Sequence, residues 1–152
     1  MMTATIEANK RVVLRVFEEG FNAGNLAVVD ELVSVSGNDH QHPDEPSFPE
    51  HLKDVIRTMR EAFPDLHFDI TAVVGEGDWV ALHSVMTGTH TGVLSRPLAP
   101  RDVLATGHTI RVPHMHMIRV QDGQGVELLH LMDTFAMLNQ LGLLAPQPAT
   151  SV

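Results

Sequence analysis

The stretch V-P-H-M-H-M-I-R-V-Q-D-G-Q-G-V-E-L-L-H-L-M-D-T-F-A-M-L, from Val112 to Leu138, decides how the rest of the chain is read. Two extended runs rich in Val, Ile, Leu and Met flank Asp122-Gly123, and Asp-Gly between such runs is a strong hairpin signal. A turn of even length sets Val120 opposite Gly125, Ile118 opposite Glu127, His116 opposite Leu129, His114 opposite Leu131 and Val112 opposite Asp133. Opposite residues share a sheet face. This register gathers His114, His116 and Asp133 with Ile118, Leu129 and Leu131. A carboxylate and two imidazoles on an apolar face are costly without partners or a purpose. A loop of odd length would shift the parity and split the set.

Upstream, Leu66 to Val74 and Trp79 to Thr89 form a second hairpin across Gly75-Glu76-Gly77-Asp78. Pairing Val74 with Trp79 places Ile70 opposite His83 and predicts His83 on the apolar face. Between the hairpins, Gly88 to Gly107 carries glycines and prolines without periodicity and reads as a long connection or flap, a length often tied to function. Before them lie three helices. Thr5 to Asn22 sets Val12, Val13, Val16, Phe17 and Phe21 at helical spacing. Asn25 caps a short helix from Leu26 to Val33. The polar run Ser34 to Ser47 is a loop. Ser47 and Glu50 make a capping box for a helix from Phe48 to Ala62, with Leu52, Val55, Ile56 and Met59 on one face. Thr134 to Leu144 ends in a short turn of helix. Residues 1–145 thus form one domain and 146–152 a flexible tail. Helices followed by antiparallel hairpins define an α+β protein in which a curved sheet wraps over helices.

At 152 residues, 43% hydrophobic and 19% charged, the chain has the composition of a single globular domain. Its formal charge of −9 argues against a nucleic acid or an anionic membrane as partner. The absence of cysteine excludes disulfides, thiolate metal sites and cysteine nucleophiles. No apolar run approaches a membrane span and Met1 to Lys10 has no signal-peptide pattern, so a cytoplasmic location is expected. Ten histidines against no tyrosine are the unusual feature, since imidazole titrates near neutrality and ligates metals.

Five motifs carry a family resemblance. They are A-F-P-D-L-H-F-D-I at Ala62 to Ile70, G-D-W-V-A at Gly77 to Ala81, G-T-H-T-G at Gly88 to Gly92, R-V-x-D-G-x-x-V-E at Arg119 to Glu127, and D-x-x-x-M-L-x-Q-L-G at Asp133 to Gly142. In this order they resemble the SnoaL-like polyketide (ester) cyclases of the nuclear-transport-factor-like superfamily. The resemblance implies a cone-shaped α+β barrel, with three N-terminal helices packed in a curved, mainly antiparallel sheet around a deep pocket, and a homodimer. It also implies cofactor-independent acid/base catalysis of an intramolecular aldol closure, with Asp133 at the family's aspartate position. The chain departs from the family in having Leu129 where a tryptophan is usual and in an insertion after Gly92.

On this reading Asp133 is the acid/base, and His114 and His116 are its polar partners, stabilising the developing enolate. The substrate-binding set is His83, His40, His42, Leu129, Leu131 and Ile118, with a small apolar substrate and no metal. His-x-His on a strand also offers two metal ligands on one face, but no acidic residue follows at cupin spacing. His90 is expected to shape a turn, while His51, His67 and His108 carry no functional signal. The alternatives to a cyclase are a non-catalytic binder of a hydrophobic ligand, or an epoxide hydrolase or isomerase on the same fold.

Overall fold

The structure, a computed structural model, describes residues 2–144, with side chains from Thr5 onward. The expected tail, 146–152, lies outside the described residues. Helix α1 (Met2–Arg15) runs into a π-helical segment, Val16–Asn22. Then come α2 (Ala27–Leu32), β1 (Val33–Asp39), α3 (Phe48–Ala62), β2 (His67–Glu76), β3 (Trp79–Thr89), β4 (Thr109–Gln121), β5 (Gln124–Met132) and α4 (Thr134–Gln140). The strands form one sheet in the order β1-β5-β4-β3-β2, with β1 parallel to β5 and every other pair antiparallel. This is the expected α+β class with a mainly antiparallel sheet, but the sheet is open, not a closed barrel.

The apolar stripes of α1 and α3 explain the layering. Val13, Phe17 and Phe21 from the first helical segment and Leu52, Ile56 and Met59 from α3 are buried with Phe68, Val80, Leu82, Val112 and Val120 of the sheet. Each such side chain contributes roughly 1.5–3 kcal/mol by leaving water. Phe17 stacks on Phe21 at 5.2 Å and meets Phe68 edge-on at 5.5 Å. Asn22 closes the π-helical segment onto the edge strand, accepting from Phe68 N at 2.7 Å and donating to Phe68 O at 3.0 Å. That bidentate contact satisfies backbone groups that an edge strand would otherwise expose.

Several local expectations are corrected. The run read as a loop from Ser34 to Ser47 begins as strand β1, because β5 supplies it with a parallel partner. Ser47 is the N-cap of α3 without a side-chain cap bond, so the capping box does not form, and Glu50 pairs with Lys53 instead. The β2–β3 turn is the tight Gly77-Asp78, with Glu76 opposite Trp79. A bulge between Ile70 and Ala72 then shifts the phase, setting Ile70 against Ser84 and Ala72 against His83. His83 therefore lies on the outer face with Thr71, away from the helices.

The connection from His90 to His108 is pinned where it leaves β3. Asp65 accepts from Thr89 N at 2.6 Å and Oγ1 at 2.8 Å. His90 is fully buried, faces Thr106 Oγ1 at 3.0 Å and shapes the turn as expected. Gly92 crosses the C-terminal end of α3 so closely that a Cβ would sit 1.9 Å from Glu61 O. Gly92→Ala is therefore expected to cost about 1–3 kcal/mol, as overpacking against rigid backbone does. Thermal unfolding of the variant checks this, and an unchanged Tm would contradict it. Among the described residues, no helix is long and apolar enough to cross a membrane.

Candidate functional site

The β4–β5 hairpin turns on Asp122 (φ 49°) and Gly123 (φ 76°), the doubly positive geometry that Asp-Gly favours. Gln121 pairs with Gln124 and Val120 with Gly125, as the sequence predicts. Val126 then forms a bulge. Beyond it the register moves by one residue, so that Ile118 faces Leu128, His116 faces His130 and His114 faces Met132. A one-residue shift turns every later side chain of β5 to the opposite face.

The consequence is a different set of inward groups. His114, His116 and Ile118 share the inner face, as expected from β4, and all three line the cavity. Leu129 and Leu131 turn outward, Leu131 being 74% exposed, and His130 takes the inward place. Asp133 lies beyond the strand. It is exposed, and its carboxylate caps α4 by accepting from Ala136 N at 2.9 Å. The expected union of Asp133 with His114 and His116 is therefore not formed. His83 and His40 also lie outside the cavity lining, His40 facing Glu127 Oε2 at 3.0 Å. His42 does line it.

The carboxylate that does meet the histidines is Asp39, at the end of β1. Parallel pairing places Asp39 beside Leu128, and His40 N donates to Leu128 O at 2.9 Å. Past the strand end, Gln41 Oε1 accepts from His130 N at 3.0 Å. These bonds bring Asp39 Oδ2 within 3.3 Å of His130 Nε2, while His51 Nε2 of α3 approaches the same oxygen at 3.4 Å. Sequence reasoning missed Asp39, His51 and His130. The D-H-Q-H run at Asp39 to His42 was the available signal, since strand alternation there would send Asp39 inward and His40 outward.

The cavity is about 80 Å³ measured as room for the centres of water-sized molecules, space for several waters. Its walls are Val12, Val16, Phe17, Phe21, Leu52, Val55, Met59 and Leu128, with Leu98 contributed by the long connection. At one end His114 stacks on His116 at 4.0 Å, and His116 meets Phe17 edge-on at 4.8 Å. His130 Nδ1 stands 3.4 Å from His114 Nε2. The result is a chain of contacts from His114 through His130 to Asp39.

Electrostatics sort these groups by charge. Burial, with a smaller effect from His130, pushes the His114 imidazole down to about 3. Burial, then His114 and His130, holds His116 well below its ordinary value. Both are therefore neutral at neutral pH, and each keeps an Nδ1 that is buried without a hydrogen-bond partner. Asp39 behaves oppositely. Burial would raise its carboxyl, but His130, His51 and the backbone N–H of Gln41 outweigh it and hold the group well below the usual carboxylate range. An ionised carboxylate, 4% exposed, is thus set among imidazoles at the end of an apolar cavity. No lysine or arginine pairs with it among the described residues.

A family model described as SnoaL-like polyketide cyclase matches residues 11–141. Among solved structures, IdmH from Streptomyces antibioticus, provisionally named a polyketide cyclase, is 27% identical, with a TM-score of 0.71 over 88% of this chain and 98% of its own. A SnoaL-like protein from Jannaschia sp. CCS1 is 25% identical, with a TM-score of 0.75 over 92% and 94% of the two chains. TsrD from Streptomyces laurentii, at 19% identity, shares the fold with a TM-score of 0.79 over 91% and 97%. A search of curated proteins found no match.

Proposed function

Because the chain belongs to the SnoaL-like polyketide cyclase family, we propose that it closes a ring by intramolecular aldol addition on an apolar, carbonyl-bearing substrate held in this cavity. The observation that carries this reading is His130, set between Asp39 and His114 at the polar end of an otherwise apolar cavity. Asp39, as an ionised acceptor, favours the tautomer of His130 that carries its proton on Nε2, which leaves the Nδ1 lone pair free. That nitrogen accepts a proton from the carbon beside a substrate carbonyl. The carbon–carbon bond then forms at a second carbonyl, and the imidazolium returns the proton to the new alkoxide. The product is an isomer of the substrate, so atoms balance without an oxidant. The loose 3.4 Å contact with His114 is one that an entering substrate can replace.

His114 and His116 serve this step as neutral imidazoles. Their unpartnered Nδ1 atoms are polar groups left free in a desolvated site, where a hydrogen bond to a substrate oxygen is worth more than in water. His42 and Ile118 remain substrate-lining residues, and Asp39 orients His130. The test is ring closure itself. A linear β-keto ester that carries a further ketone at the distance needed to close a five- or six-membered ring is incubated with the protein, and a mass-neutral cyclic isomer, or its dehydration product, is followed by liquid chromatography and mass spectrometry. Product above the uncatalysed background is expected. Ligand binding without product would instead establish a hydrophobic-ligand binder, and conversion of an epoxide substrate to a diol carrying one oxygen from labelled water would establish hydrolysis.

The outer face of the sheet is the homodimer surface in this reading. It exposes Val74, Met115, Met117 and Leu131, a patch of apolar side chains with no cover among the described residues. Sedimentation velocity at micromolar concentration is expected to show a dimer, and Met117→Glu with Leu131→Glu to yield a folded monomer. A monomeric parent protein would overturn this.

A further inference from the structure

We propose that Asp39, His42 and His51 form a binding site for a single first-row divalent transition metal at the polar end of the cavity. One ligand atom from each residue lies within 4.8 Å of the other two. His51 Nε2 and Asp39 Oδ2 are already 3.4 Å apart, close to the ligand–ligand spacing that bonds of about 2.0–2.2 Å to a shared ion impose. The rings of His42 and His51 lie 4.7 Å apart at their centroids. Two imidazoles and a carboxylate are a donor set suited to Zn²⁺ and its first-row neighbours, not to the hard cations, which prefer all-oxygen sites.

An independent observation points to a ligand. The His51 side chain is 2% exposed, and its Nε2 faces Asp39 Oδ2 at 3.4 Å without completing a well-formed hydrogen bond. A buried ring nitrogen without a partner is uncommon in a folded protein. An ion between His51 and Asp39 would satisfy it and also neutralise a buried carboxylate held by imidazoles and the Gln41 N–H, with no cationic side chain paired to it among the described residues. The other ring nitrogen, Nδ1, lies 3.8 Å from Glu45 Oε1. A carboxylate behind a ligating histidine is the usual outer support of such sites. Asp39 and His42 both line the cavity, so an ion held by them would lie at its polar end.

The site departs from the metal-free pocket expected from sequence, where only His114 and His116 suggested a metal. It stands independently of the ring-closure reading, although the two share Asp39. A metal on Oδ2 competes with the His130 contact, so the loaded and unloaded proteins are alternative states of one carboxylate.

The test is isothermal titration of the full, chelator-treated chain with Zn²⁺, paired with the visible absorption of the Co²⁺-substituted protein. One equivalent per chain and a Co²⁺ spectrum with nitrogen–oxygen ligation are expected. His42→Ala, on the loop, and Asp39→Asn should each weaken binding by more than about 100-fold, beyond what loss of an outer support costs. His67→Ala, at an exposed position, should bind as the parent does. Absence of stoichiometric binding, or unchanged affinity in both His42→Ala and Asp39→Asn, overturns the site. Ring closure is assayed separately on the chelator-treated chain, so a chain that binds metal but closes no ring when metal-free rejects only the function above, and one that closes rings metal-free and binds no metal rejects only this site.

Discussion

Exchange of His130 for glutamine is expected to cut the rate of ring closure by about 10²- to 10⁴-fold, the usual worth of a positioned general base. The loss should fall on kcat, with KM little changed, because the walls that hold the substrate are aliphatic and aromatic side chains left untouched. Asp39→Asn should approach the same loss for a different reason. An amide nitrogen facing His130 Nε2 donates where the carboxylate accepted, and so favours the tautomer without a free Nδ1 lone pair. Asp133→Asn, by contrast, should leave kcat near the parent value. Asp133 is exposed, and asparagine caps a helix about as well as aspartate does. Initial-rate kinetics on the three variants decide the matter. Collapse in Asp133→Asn with full activity in His130→Gln would reverse the roles.

The second large effect is on stability against pH. His114 is pushed down to about 3 and His116 well below its ordinary value, both chiefly by burial. A histidine whose folded value is depressed binds fewer protons folded than unfolded below about pH 6.5, so stability is full above that pH and falls on acidification. Between pH 6.5 and 5 ordinary carboxylates scarcely titrate. Over that window His114 should remove about 2 kcal/mol, at ~1.4 kcal/mol per pH unit, and His116 acts in the same direction. That is a large share of the ~5–15 kcal/mol that stabilises a typical domain. Urea unfolding at pH 7.5 and 5 measures the loss. The double replacement His114→Leu and His116→Leu should flatten the profile. A parent protein equally stable at both pH values would contradict neutral, buried imidazoles.

The motifs that carry the family resemblance are largely architectural. Asp65 of A-F-P-D-L ties down Thr89, His90 of G-T-H-T-G is sealed in a turn, and Gly92 passes against the backbone of α3. In Q-L-G, Gln140 brackets Arg111, accepting from its N at 2.7 Å and donating to its O at 3.1 Å, which docks α4 on β4. Each of these residues fixes a segment of backbone, Gly92 by close approach and the others by side-chain hydrogen bonds. They do not line the cavity.

By itself the sequence determined the helices, the two hairpins, the Asp122-Gly123 turn and the inward face of β4 with His114, His116 and Ile118. Each of these follows from neighbours within a few residues: a helical stripe, an alternation or a dipeptide suited to positive φ. Tertiary structure alone decided the rest. From Val126 to Met132 the chain is apolar on both faces, so its own pattern fits either register, and the bulge at Val126 chose His130 over Leu129 and Leu131. The run from Ser34 to Asp39 is too polar to read as a strand, and it becomes one only through hydrogen bonds from β5. Asp39 thereby meets a histidine 91 positions further along the chain, a pairing that no local pattern encodes.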